Sequence, residues 1–408
     1  MNIPMKNSNV PWIGEIPEEW EVIQFRRLFV IRKIIAGKLG YDVLSVTQSG
    51  IKIKDITKNE GQLAQDYSKY QLVHPNDFVM NHMDLLTGYI DCSKYNGVTS
   101  PDYRVFRDKM TYKISLSYYL YIFQLAYITK IFYQLGQGVS DRGRWRLPAG
   151  QLLLFDLPLP RYDEQKKIAD YLDKVCGEID DMIALQEKMI EELKAYKQSV
   201  ITEAVTKGLN PNVPMRDSGI DWIGEIPEHW VILRLKFMCD IQTGNQDTQD
   251  AIQDGEYPFY VRSPKVEHSI KYSFEGEGIL MAGDGAGAGR VFHHAFGKYA
   301  VHQRVYRLSS FKDINTYYLF HYISNLFCKV MDMGSAQSTV PSVRLPMLLN
   351  FIVCMPPLSE QQAIADFLDK KCADIDALIA IKQKKIEALK DYRKSLIYEY
   401  VTGKKQVN

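Results

Sequence analysis

The sequence has little cysteine, no long apolar run and almost no net charge. Its six cysteines are scattered at 92, 176, 239, 328, 354 and 372, with no CxxC pair. That spacing excludes a zinc ribbon and a disulfide scaffold, and it fits a reducing cytoplasm. No run of 18 apolar residues occurs; the nearest, Leu116 to Leu125, is broken by Ser and Gln and is too short to span a bilayer. The opening residues MNIPMKNSNVPWIG hold no apolar core of the kind a secretory signal needs. The expectation is a cytoplasmic protein without a membrane partner. Lys and Arg number 50 against 49 Asp and Glu over 408 residues, which excludes a uniformly basic DNA coat. With 46% hydrophobic and 24% charged residues, the chain is composed like a folded protein rather than a disordered one.

Catalytic and cofactor motifs are missing too. There is no GxxxxGK[ST] phosphate loop, no HExxH, no GxSxG elbow and no [DNS]PP[YFW] loop for gripping a flipped base. Pro101-Asp102 is not followed within 40 residues by the Asp/Glu-x-Lys that a nuclease metal site requires. Gly283-Asp-Gly-Ala-Gly-Ala-Gly289 follows a strand-like run, but glycine recurs every second residue, so GxGxxG is not met and a turn between strands is expected. His293 and His294 are adjacent and point to opposite faces of a strand, which disfavours a shared metal. No metal ligand set is expected, and no cofactor bound by this chain.

What is present is repetition. WIGEIPEEW at 12–20 returns as WIGEIPEHW at 222–230, identical in eight of nine positions. EQKKIADYLD at 164–173 returns as EQQAIADFLD at 360–369, identical in seven of ten. The material between these blocks, about 21–158 and 231–356, is only faintly similar between halves. Scaffold segments repeat while the inserts diverge, which points to two related halves in a pseudo-twofold molecule.

The repeated segments read as long helices. Residues 164–206 contain no proline, and apolar residues recur at Ile168, Leu172, Val175, Ile179, Met182, Met189, Leu193, Tyr196 and Val200, with Gln186 in one seam position. Steps of three and four over four heptads predict a coiled coil, a rod of roughly 65 Å at 1.5 Å per residue. The second copy keeps Ile364, Leu368, Ile375, Leu378, Leu389, Tyr392 and Leu396. The simplest pairing is antiparallel, through Ile168, Leu172, Ile179 and Leu193 of one rod and Ile364, Leu368, Ile375 and Leu389 of the other.

Both inserts read as mixed α and β in the same order. Gly278-Ile-Leu-Met-Ala corresponds to Asp77-Phe-Val-Met, Arg304-Val-Tyr-Arg-Leu to Tyr103-Arg-Val-Phe-Arg, and 315–331 to the aromatic helix of 115–132. Their charge differs: the first insert has 18 Lys and Arg against 12 acids, the second 12 against 11. In the first, Arg142, Arg144 and Arg146 alternate around Trp145 and share one face if extended; Lys52 and Lys54 do the same. Arginine's planar fork suits phosphates and guanine edges. Gln137 joins this candidate set. The second insert offers polar loops with Gln242, Asn245 and Gln246, then Gln337 and Ser338, then Arg344.

The WIGEIPxxW lead, a divergent insert, and EQxxIAxxLD opening a long helix, all written twice, resemble the specificity subunit of type I restriction-modification systems. The resemblance covers nearly the whole chain, about 8–405. It implies an α+β architecture of two mixed target recognition domains joined by two long antiparallel coiled-coil helices. Carried onto this sequence, residues 1–160 are the first recognition domain with its lead and 161–208 the first spacer helix. Residues 209–357 are the linker and second domain, and 358–408 the second helix. The resemblance further implies that each domain reads one half of an asymmetric split double-stranded DNA target. The helices would fix the gap, about one DNA turn, and dock two methyltransferase subunits. Those partners would supply S-adenosylmethionine chemistry, and restriction/translocase subunits the ATP- and Mg-dependent steps. The near-neutral second domain implies weak phosphate attraction on its own. The competing readings are a coiled-coil adaptor without DNA and an orphan or inactive specificity subunit.

Overall fold

A computed structural model of the chain describes residues 4–56, 66–138, 145–334 and 341–407. The chain divides into two compact units: Met1–Gln186 with Lys384–Asn408, and Glu187–Gln383. Among the described residues no helix is long and apolar enough to cross a membrane.

In the first unit, strands β1 (Phe29–Arg32), β2 (Phe78–Met80), β3 (Ile90–Cys92) and β4 (Arg104–Asp108) form an antiparallel sheet in the order β1-β4-β2-β3. Alternation divides its side chains between two buried faces. On one face Phe29, Phe78 and Phe106 meet Phe123 of helix α1 (Leu116–Ile128), with ring centroids 5.4 to 5.5 Å apart. Each fully buried ring of this kind stabilises by about 1.5–3 kcal/mol. On the other face Val79 and Val105 pack with Leu44, Ile51 and Val73 beneath two small antiparallel pairs, Leu44–Thr47 with Gly50–Ile53 and Gln71–Val73 with Gly97–Thr99. The helix expected over 115–132 breaks at Lys130, whose φ of 59° ends one turn before Ile131–Gln134 begins another.

The second unit repeats the plan. Strands β5 (Asp240–Thr243), β6 (Gly278–Ala282), β7 (Phe292–Ala295) and β8 (Val305–Ser309) take the order β5-β8-β6-β7. Helix α2 (Thr316–Gly334) covers one face, and a second sheet covers the other over Leu280, Tyr299, Val301 and Val305. The register corrects one sequence correspondence. Phe106 lies opposite Ile31 and Phe78, and Leu308 opposite Ile241 and Ile279. Leu308 is therefore the counterpart of Phe106, and Val305, not Arg304, stands for Tyr103. Pairing the two segments from their first residues slips the register by one, which exchanges the two faces of the strand.

The repeated motifs do the same work in both units. The Trp20 indole N–H donates to Glu164 at 3.0 Å, and Trp230 donates to Glu360 at 3.2 Å. The next residue, Gln165 or Gln361, accepts from the backbone N–H that caps the aromatic helix, Ser115 at 2.9 Å or Asn315 at 2.7 Å. Its own amide N–H donates back to the Pro160 or Pro356 carbonyl at 2.9 Å. The buried Tyr118 hydroxyl donates to the Val401 carbonyl at 2.8 Å, at the end of one long helix; that of Tyr318 lies 2.6 Å from the Cys354 carbonyl and 3.1 Å from that of Val205, at the end of the other. Gly403 and Gly208 follow those ends with φ of 72° and 78°, the left-handed geometry that terminates a helix, and both sit where a Cβ would strike a Trp ring.

The long helices are Tyr162–Lys207 and Leu358–Val401. Each unit contains part of both, running antiparallel. In the first, Tyr171 packs on Tyr400 at 4.6 Å and Asp180 pairs with Arg393 at 3.2 Å. In the second, Lys197 pairs with Asp376 at 2.7 Å and the Lys371 ammonium lies over Tyr196. Ile168, Leu172, Ile179, Ile364, Leu368 and Ile375 are buried, while Leu193 and Leu389 are half-buried. From Met182 onward the contact stripe departs from the heptad reading by one position. Ile183, Ile190 and Lys197 turn inward, whereas Met182 and Tyr196 are exposed; Gln186 is buried at its expected seam position. The second helix repeats the shift, with Ile379, Ile386 and Arg393 inward and Leu378 and Tyr392 exposed. A helix of 3.6 residues per turn drifts about 20° per heptad from a strict 3.5 repeat, enough over two heptads to bring in the next residue.

Candidate nucleic-acid interface

The sheet of the first unit ends in a polar rim. Strands β1 and β2 finish and β4 begins at the same end, because Arg32 pairs with Val105 and Met80 with Arg104. The returning segment before helix Ala149–Leu153 closes over this end. Leu147 N–H donates to the His82 carbonyl at 3.0 Å, and its own carbonyl accepts from Arg104 Nη1 at 3.2 Å. A hollow of about 290 Å³ is lined here by Arg32, Lys33, Arg104 and Arg146, with Gln71 and His82 among the other walls. Burial, then the Arg104 and Arg146 guanidiniums, push His82 down to about 4, so the ring is neutral at pH 7. Four cations and one carboxylate, Asp102, thus surround a neutral imidazole, a net positive arrangement suited to phosphate oxygens. A second hollow of about 380 Å³ shares Met83, Asp102 and Tyr103 with the first and adds Lys54, Tyr67, Tyr70 and Asp84.

The candidate residues of the first insert fall unequally on this rim. Arg146 lines the basic hollow and Lys54 its neighbour. Gln137 is exposed and exchanges both backbone hydrogen bonds with Arg146, at 2.8 and 3.0 Å. Among the described residues this bridge is the extended pairing at Arg146. Lys52 is exposed on the outer hairpin, opposite Ser45, and lines neither hollow. Arg142 and Arg144 lie outside the described residues. Sequence reasoning missed Arg32, Lys33 and Arg104. The adjacent Arg32-Lys33 pair at the end of a strand was a usable signal; Arg104 reaches the rim only through the fold.

In the second unit the same end is built differently. Gln242 pairs with Arg307 where Arg32 pairs with Val105, so a neutral amide replaces an arginine. The glycine run forms the turn from β6 to β7. Gly289, at φ 64°, sits where a Cβ would press on Phe327 and Met331, so the turn lies close against α2. Within this turn Asp284 receives two arginines, Arg262 Nη1 at 2.8 Å on one oxygen and Arg304 Nη1 at 2.7 Å on the other. Burial alone would raise this carboxyl, but the two guanidiniums outweigh it and hold Asp284 below its usual range. His302, buried behind, accepts the Arg304 backbone N–H on Nδ1 at 3.0 Å. Its proton therefore sits on Nε2, facing Thr248 and Asp247.

The loop candidates of this unit divide by role. Gln246 donates from Nε2 to the Lys271 carbonyl and the Ser273 hydroxyl, and accepts from Ser269 at 3.0 Å, so its amide ties the loop to the neighbouring sheet. Asn245 accepts from Ser273 at 2.6 Å. Gln242 is exposed at the end of β5, and Arg344 is exposed at the start of helix Leu345–Leu349. Gln337 and Ser338 lie outside the described residues. The residues missed here are Arg262, Asp284 and Arg304. Asp284 was visible inside the glycine run, but its meeting with two distant arginines is tertiary. Among the described residues no group of three or more His, Cys, Asp or Glu could hold a metal.

Two copies of one α/β scaffold, each ending in its own polar rim, define a class of paired recognition modules. Comparison with known proteins places the chain within it. The model of the type I restriction modification DNA specificity domain matches residues 17–195 and again 227–391, and the chain belongs to that family. It is 27% identical, over 97% of its length and 96% of the relative's, to a chain assigned as the MjaX type I restriction enzyme specificity subunit of Methanocaldococcus jannaschii. The MjaVIII specificity subunit of the same organism is 27% identical over 62% of each chain. A chain of a type I R-M system solved for its complex assembly and conformational transition superposes with a TM-score of 0.70 at 13% identity, over 95% of this chain and 98% of that one, and shows the same fold.

Proposed function

We propose that the chain is the DNA-reading subunit of a type I restriction-modification complex, with each unit reading one half of a split, asymmetric duplex target. The observation that carries this is the contrast between the two rims: one scaffold presents four gathered cations in one unit and a carboxylate-braced arginine pair in the other. Identical scaffolds with unlike ends read unlike sequences. The long helices set the unspecified gap and dock two methyltransferase subunits. Those subunits carry the S-adenosylmethionine site and extrude the target adenine, since a base inside a duplex is out of reach of chemistry. Restriction/translocase subunits supply the ATP- and Mg-dependent steps. The chain itself is non-catalytic, a reading supported by the absence from its sequence of nucleotide-loop, methyltransferase and nuclease motifs, and it acts in the cytoplasm, which its scattered cysteines fit.

Co-expression with the methyltransferase subunits encoded beside it, followed by single-molecule sequencing for N6-methyladenine, tests the proposal. The expected result is a new split motif that vanishes when this chain is deleted. A stable complex that marks no motif would favour an orphan subunit; failure to form any complex would favour a structural adaptor.

A further inference from the structure

We propose that Arg304, braced by Asp284, reads a guanine in the half-site taken by the second unit, and that Asp284 and Arg262 act as its positioning residues. This rests on the DNA-reading proposal above and assigns one base contact within it. Arg304 is fixed at three points. Its backbone N–H is held by His302 Nδ1 at 3.0 Å, its carbonyl accepts from Gly283 at 2.8 Å, and its Nη1 is bound to Asp284 at 2.7 Å. Asp284 is itself fixed: its turn is tied by Gly285 N–H to the Pro341 carbonyl at 3.1 Å and by Gly289 N–H to the Ala282 carbonyl at 2.9 Å, and Arg262 holds its second oxygen.

The Arg304 side chain nevertheless remains 60% exposed. Among the described residues its Nε and Nη2 carry no hydrogen bond, so one edge of the guanidinium is anchored and further donors face outward. A surface arginine ordinarily loses much rotamer freedom on binding; one already held by a carboxylate loses less.

Charge decides between a base edge and a phosphate. Arg262, Arg304 and Asp284 together carry a single net positive charge, and the carboxylate repels a phosphate oxygen brought to the same arginines. The O6 and N7 atoms of guanine are neutral acceptors, and the arginine fork fits them in the major groove. The rim of the first unit, with Arg32, Lys33, Arg104 and Arg146 around one hollow, has the opposite character and suits phosphate.

The test uses the full chain assembled with its methyltransferase subunits. Methylated motifs are sequenced for the wild type, Arg304→Lys and Asp284→Asn. Binding of the wild-type complex is measured on duplexes with 7-deazaguanine at each guanine in turn, an arm that needs no variant to fold. The expected result is that both variants relax the same guanine in one half-site, by about ten-fold in discrimination, with the other half and the gap unchanged. Loss of N7 at that guanine alone weakens wild-type binding by about ten-fold. Full discrimination in both variants, or a flat 7-deazaguanine series, overturns the proposal. So does a uniform loss of affinity on all sequences with a lower salt slope, the mark of a phosphate contact. If the assembled wild type marks no split motif and binds all duplexes alike, the DNA-reading proposal itself falls, and this one with it.

Discussion

The two units share a sheet topology, a capped aromatic helix and a Trp–Glu clamp, yet their rims are chemically opposed. The first gathers four basic side chains around a hollow whose lining includes one carboxylate, Asp102. The second places two arginines on one aspartate inside a tight glycine turn. Excess charge and fixed direction are different ways to meet DNA. Unpaired cations bind the backbone and weaken with salt, whereas a braced arginine gives up long-range attraction for orientation.

If the scaffold is common, equivalent scaffold substitutions should cost the same in each unit. Trp20→Ala and Trp230→Ala each remove a buried ring and leave a glutamate without its indole donor. Each is expected to destabilise its own unit by about 3–5 kcal/mol in denaturant unfolding followed by unit-specific hydrogen exchange. A large cost in one and none in the other would break the equivalence. Rim substitutions should behave unequally. Replacing Arg32, Lys33 and Arg146 together by Gln is expected to lower the slope of log affinity against log salt by about 2–3, measured on the assembled complex. Arg262→Gln, whose charge is already paired, should change that slope by less than about 1. Equal changes would mean that both rims are simple phosphate clamps.

Smaller effects sharpen the same comparison. Tyr118→Phe and Tyr318→Phe each delete one buried hydroxyl donor, which meets Val401 in the first unit and is shared by Cys354 and Val205 in the second, and each is expected to cost about 1 kcal/mol. The smallest effect concerns pH. His82 is held down to about 4 in the folded chain by burial and two arginines, against an ordinary value near 6.5 when unfolded. Between those values the unfolded chain takes up the proton first, so this contribution to stability is complete above about pH 6.5 and is lost as pH falls towards 4. His82→Asn should remove that part of the acid sensitivity of the first unit. The corresponding position of the second unit is Gly283, so a matching slope there must have another source.

Much of the scaffold is legible in the sequence because it is written twice and built from local periodicity. The long helices, the strands at 77–80 and 278–282 and the aromatic helices all follow from short-range pattern. The purpose of the repeated Trp and Glu-Gln letters is not local: Trp20 meets Glu164, and Trp230 meets Glu360, across the whole insert. Two readings slipped by one residue for physical reasons. The helix stripe drifts because 3.6 is not 3.5, and the strand at 305–309 is fixed by its buried face, which a pairing of the segments from their first residues does not weigh. The rims were the least legible. Arg146 and Lys54 stand on them, but Asp284, Arg262 and Arg304 converge from three separate segments, and nothing in their spacing announces the meeting.

The central claim is that each insert reads its own half of the target on a shared scaffold. Its most direct test is a chain in which residues 21–158 are replaced by a second copy of 231–356, assembled with the same methyltransferase subunits and assayed by sequencing of N6-methyladenine. The expected product is a symmetric split motif, with the half-site of the second insert appearing twice around the original gap. An assembled complex that still marks the original asymmetric motif would contradict the claim.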